Sequence, residues 1–133
     1  MESTVVWYLR MSVIYFATGA IIGVGMLLWP DESGYFVPVH VHLNLLGFMS
    51  MMIYGVGYHI LPKFSGRLIY STPLMKIQFW LSNAGLLGMA ISWPLTYRAD
   101  SSVPETVLIL SALTVLLSVM FFAFNILKTV KSV

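Results

Sequence analysis

The chain has 133 residues, 59% of them hydrophobic and 9% charged, and no cysteine. A water-soluble domain carries about 25% charged residues, so a fully solvated surface is excluded. Disulfides, iron–sulfur clusters, thiolate zinc sites and covalent CxxCH heme attachment are excluded with it. Seven Lys and Arg stand against five Asp and Glu, and where they sit matters more than their sum.

Mean hydropathy is +0.87. Four apolar stretches, each near the roughly 20 residues that cross a bilayer, take up almost the whole chain. They predict an all-α integral membrane four-helix bundle, a single transmembrane domain over residues 1–133. The first span covers about 5–29 and is closed by Trp29-Pro30. It is too long for a signal-peptide core and no A-x-A site follows, so it is read as retained. An acidic turn with Asp31 and Glu32 leads to the second span, about 37–61, ending at Pro62. After a basic loop with Lys63, Gly66 and Arg67, the third span covers about 74–97, with Pro94 disturbing its last turn. Arg98, Asp100 and Glu105 follow, and Pro104 stands where a helix start accepts it. The fourth span covers about 105–127.

Basic residues set orientation. Arg10, Lys63, Arg67, Lys76, Lys128 and Lys131 fall on one side and Arg98 on the other. The expectation is a multi-pass protein of a bacterial-type inner membrane, with both termini cytoplasmic. Trp29, Tyr35, Trp93 and Tyr97 would form the outer aromatic belt, Trp7 and Tyr70 the inner one.

All three histidines, His40, His42 and His59, lie on the second span. An imidazole within a membrane is a functional candidate, against the alternative of a hydrogen bond to a neighbouring helix. Residues two apart on a helix point about 200° from each other. His40 and His42 therefore serve different partners instead of chelating one ion. His59 lies roughly 25 Å further along the helix axis and is read as mainly structural, with an inner-side ligand or proton-handling role as its alternative.

Single imidazoles offered to two sides, in an apolar shell without cysteine, suit a non-covalent heme b. Asn44, Gly47, Met51 and Gly55 continue the face of His40. The glycines either let a flat macrocycle approach or mark helix–helix contact. Gly19 and Gly23 are assigned to packing, as are the other span-two methionines. Asn44, Gln78 and Asn83 are read as interhelical hydrogen-bonding groups. All five carboxylates fall at span ends or in loops, which argues against a buried Asp/Glu proton relay.

The segment from His40 to Lys63, opening His-Val-His-Leu-Asn-Leu-Leu-Gly and closing Tyr-His-Ile-Leu-Pro-Lys, resembles a ligand-bearing helix of subunit I of the heme–copper oxidase superfamily. The likeness is closest to the cytochrome-c-type oxidase and nitric oxide reductase branches. In that family twelve spans form three groups of four, and an HxH pair holds two hemes, one on each face. The resemblance implies a single four-helix repeat, with His40 and His42 as heme ligands and Arg98 near heme propionates. The further histidines of a copper site and a histidine–tyrosine crosslink motif are absent, so oxygen reduction is not carried over.

On this reading three copies assemble like the three oxidase groups, with His42 of one subunit and His40 of the next on one heme. A two-fold dimer is the competing geometry. The expected function is electron transfer or diatomic gas (NO or O2) binding in a respiratory membrane, with membrane lipid and a respiratory electron donor or complex as partners and no nucleic acid. A heme-carrying accessory or assembly protein for an oxidase or reductase is the alternative, followed by a structural membrane bundle. Whether the chain is an enzyme is left open.

Overall fold

The computed structural model describes residues 1–130; Lys131, counted above with the N-terminal-side charges, lies outside the described residues. Helix α1 spans Ser3–Leu28. It stops because Pro30 pushes the preceding Trp29 out of helical geometry. A 3₁₀ turn, Pro30–Glu32, starts a second rod built from α2 (Ser33–His42), a π-helical stretch Leu43–Ser50 and α3 (Met51–Phe64). Helices α4 (Thr72–Thr96) and α5 (Val103–Thr129) complete the bundle.

The second rod is longer than the sequence suggested, and Pro62 lies inside it. A proline near a helix end removes only one hydrogen bond of the last turn. The stop comes two residues beyond Phe64, where Gly66 takes φ +59. Arg67 N–H then donates to Pro62 O at 3.0 Å and Gly66 N–H to Lys63 O at 3.2 Å, the paired bonds of a Schellman closure. Pro94 is likewise accommodated within α4.

Helices α1, α5 and the second rod are each long and apolar enough to cross a membrane. Helix α4 is long enough at 25 residues but more polar, because it faces inward. Gln78, Ser82, Asn83 and Ser92 are all buried. Tyr58 OH donates to Gln78 Oε1 at 2.9 Å and Tyr15 OH to Asn83 Oδ1 at 2.7 Å, and Ser82 and Ser118 pair through their hydroxyls. Neighbouring helices thus partner the Gln78, Asn83 and Ser82 side-chain oxygens, while Asn83 Nδ2 and Ser92 Oγ donate to carbonyls of α4 itself and Gln78 Nε2 is buried without a partner among the described residues. Around them pack Tyr8, Tyr15, Met51, Tyr54, Tyr58, Met75 and Leu86.

α1 packs along the second rod and α4 along α5; α2 also touches α4, and α3 touches α5. The α3–α4 connection is tied down from α5. Asn125 Nδ2 donates to Ser71 O at 2.8 Å, and Ser71 N–H donates to Asn125 Oδ1 at 3.0 Å. Asn125 is fully buried. Asn125→Leu leaves both Ser71 groups without these partners, at about 1–3 kcal/mol for each that stays unpaired. The expected outcome is a lower thermal unfolding midpoint in detergent by circular dichroism, with the helical signal below the transition retained.

Candidate functional site

His40 and His42 sit in the last turn of α2, both half-buried. His40 turns toward α1: its Nδ1 lies 2.8 Å from Gly19 O, and the ring rests on Gly23, where an added Cβ would come 3.0 Å from Cε1. His42 turns toward α4, its ring 4.8 Å from that of Trp93, with Nδ1 2.7 Å from Pro38 O. A carbonyl oxygen only accepts, so Nδ1 carries the hydrogen in both rings. With Nδ1 so engaged, Nε2 is the ring nitrogen left to bind a metal, and it has no hydrogen bond among the described residues. A carbonyl that holds Nδ1–H in this way fixes the ring and orients Nε2 for metal ligation.

His59 differs. Its Nε2 meets Lys63 Nζ at 3.0 Å, at the far end of the rod. Among the described residues no three His, Asp or Glu side chains converge as a metal cluster.

The face continuing from His40 is covered by α1 of the same chain. Asn44 Nδ2 donates to His40 O at 2.8 Å, and its side chain sits over Gly19. A Cβ on Gly47 would lie 2.7 Å from Tyr15 Cβ, and one on Gly55 2.9 Å from Leu9 Cδ2. Met51 is fully buried. Of the two roles open to these glycines, helix contact fills the space. Gly25 is different, because nothing lies within 4 Å of its added Cβ. It borders an open groove of about 470 Å³ between α1 and α2, walled by Ile21, Ile22, Met26 and Phe36. Phe36 is one helical turn from His40. Arg98 stands at the rim with Glu32, paired to that carboxylate and 5.3 Å above the Tyr35 ring. Both charged side chains are half exposed, so the pair adds at most about 1 kcal/mol of stability and leaves the guanidinium exchangeable.

Sequence reasoning missed Gly19 O, Pro38 O and Trp93 as histidine partners. The Gly19–Gly23 spacing did signal a close approach to α1 but not the ring that makes it. The π-helical stretch directly after His42 was also missed. Ser50 Oγ there donates to Leu45 O, five residues back, at 3.0 Å, and such segments cluster at functional sites.

The family model described as cytochrome c and quinol oxidase polypeptide I matches residues 3–99. The cbb3-type cytochrome c oxidase subunit CcoN1 of Stutzerimonas stutzeri is 39% identical over 56 residues, covering 41% of this chain and 12% of that protein. A cytochrome c oxidase subunit 1 homolog of Agrobacterium tumefaciens (strain T37) is 38% identical over 56 residues, 41% of this chain and 10% of that protein. The chain thus spans about a tenth of the length of these relatives. No solved structure matches.

Proposed function

The chain belongs to the cytochrome c and quinol oxidase polypeptide I family, and on that premise we propose that it is a membrane b-type heme protein in which His40 and His42 would hold the heme iron. The observation that carries this reading is the state of the two imidazoles. Each gives Nδ1–H to a backbone carbonyl and keeps Nε2 free, on different sides of one rod. The residues present fit the group in two further respects. Gly25 leaves an apolar groove open one turn from His40, and Arg98 supplies a cation at its rim for a propionate. Asn44 restrains the His40 backbone, while Gly47 and Met51 fix the rod against the rest of the bundle.

Bound there, the heme supplies one-electron chemistry or, with one coordination position open, a site for NO or O2. The protein's part is to orient the rings, set their tautomer and exclude water from the iron's surroundings. One chain offers one imidazole to each side, so the second ligand comes from another subunit. A trimer with His42 of one copy facing His40 of the next is the arrangement proposed, and a two-fold dimer is the competing one. With all three histidines on one rod, this chain has none for a separate copper site. That favours, as the second reading, an accessory or heme-carrying role beside a respiratory oxidase or reductase over catalysis by the chain itself.

Carbon monoxide added to the reduced, detergent-purified protein separates the two uses of heme. A bis-histidine iron gives an unchanged spectrum and supports electron transfer. A shifted Soret band reports an open position and supports gas binding. Native mass together with the heme-to-chain ratio decides between trimer and dimer.

A further inference from the structure

The N-terminal end of the bundle carries a second recess, at the end opposite His40 and His42. Tyr8 OH donates to Met75 O at 3.1 Å and brings the first turns of α1 beside those of α4. Between them lies a small cleft of about 140 Å³ lined by Thr4, Trp7, Lys76, Phe79 and Trp80. Trp7 is 49% exposed and Trp80 70%, so the walls open outward. Arg10 lies over the Trp7 ring, its guanidinium carbon 5.2 Å from the centroid. Neither Arg10 nor Lys76 has a carboxylate within 4 Å among the described residues, where the ion pair is Arg98–Glu32 at the other end.

Depth identifies the occupant. α1 and α4 both start at this end, and at 1.5 Å per residue Lys76 lies about 6 Å and Arg10 about 10 Å in from the helix starts. Trp7 lies level with Lys76, and Trp80 is about 12 Å in. The Arg10 guanidinium reaches back over the Trp7 ring, so both cations stand with Trp7 at headgroup level, and Trp80 with exposed Val13 lies further in, at the start of the acyl region. A polar end at one depth and apolar walls below it match a lipid, not a soluble anion. Glu2, held by Thr4 Oγ1 at 3.1 Å, stands beside the cleft. Among the side chains at the cleft two cations stand against one carboxylate, a positive balance that favours an anionic headgroup.

We propose that this α1–α4 cleft seats an anionic phospholipid of the phosphatidylglycerol class, its phosphate between Lys76 and Arg10 and an acyl chain along Trp80. The seat does not depend on heme.

The test uses the full chain with Trp29→Phe and Trp93→Phe, so that Trp7 and Trp80 alone fluoresce. It is reconstituted in phosphatidylcholine containing brominated phosphatidylglycerol or brominated phosphatidylcholine at equal fractions. One net charge at the surface corresponds to about a fivefold preference, so brominated phosphatidylglycerol quenches more strongly, with a relative binding constant near that value. Lys76→Gln with Arg10→Gln, both exposed positions, brings the two lipids to equal quenching. Equal quenching in the parent, or a preference that survives the double substitution, overturns the proposal.

Discussion

His40→Ala is expected to abolish the six-coordinate Soret and alpha-band spectrum of the purified protein, and His42→Ala to do the same. Each ring is positioned by one carbonyl bond and one packing contact, Gly19 O with Gly23 for His40 and Pro38 O with Trp93 for His42. Neither ring has a neighbouring imidazole to take over: His59 is at the far end of the rod, engaged with Lys63. Both candidates are half-buried, and their removal leaves Gly19 O and Pro38 O still within helical backbone. The variants should therefore remain helical by circular dichroism and monodisperse in detergent while losing the spectrum. His59→Ala should keep it. A spectrum unchanged in both the His40 and His42 variants removes the ligand assignment.

The largest effect on stability is expected from Gly85→Val. A Cβ at Gly85 would lie 2.7 Å from Val115 Cγ2, 2.8 Å from Ser111 O and 3.0 Å from Val115 N. Two of these atoms are backbone and cannot rotate away, so α4 and α5 must separate. Overpacking of this kind costs about 1–3 kcal/mol or more, and it falls on the most extensive helix pairing in the bundle. Thermal unfolding in detergent should show a clear drop in midpoint. Gly25→Ala provides the contrast: its Cβ meets nothing within 4 Å, and alanine is favoured over glycine inside a helix by about 0.8–1.0 kcal/mol. That variant should unfold no earlier than the parent, and an equal drop in both would show that α4–α5 contact at Gly85 is not what limits stability.

Much of the architecture was legible because membrane helices announce themselves by length and hydropathy. Helices run over Ser3–Leu28, Thr72–Thr96 and Val103–Thr129, close to the stretches expected at about 5–29, 74–97 and 105–127, and the first and last are long and apolar enough to cross a membrane. Pro62 suggests an end for the second rod near Leu61, whereas Gly66, with its positive φ, closes it beyond Phe64. The 200° separation of His40 and His42 was also readable, since helix geometry alone fixes it, and the rings do turn to α1 and α4. What covers a small-residue face was not readable. Gly47 and Gly55 reveal a close approach without naming the neighbour, which proves to be Tyr15 at one and Leu9 at the other. The inward polar face of α4 was visible as Gln78 and Asn83, but their tyrosine partners, Tyr58 and Tyr15, come from distant spans. Nor does local composition mark the π-helical winding after His42.

Heme b on the second rod, held through His40 and His42, is the proposal on which the functional reading stands. The most direct measurement is the reduced-minus-oxidised optical spectrum of the unmodified chain, expressed with ample heme and purified in detergent. The expected result is a sharp alpha band and Soret shift of a low-spin b-type heme at a fixed heme-to-chain ratio. A colourless, monodisperse, helical protein would contradict the account.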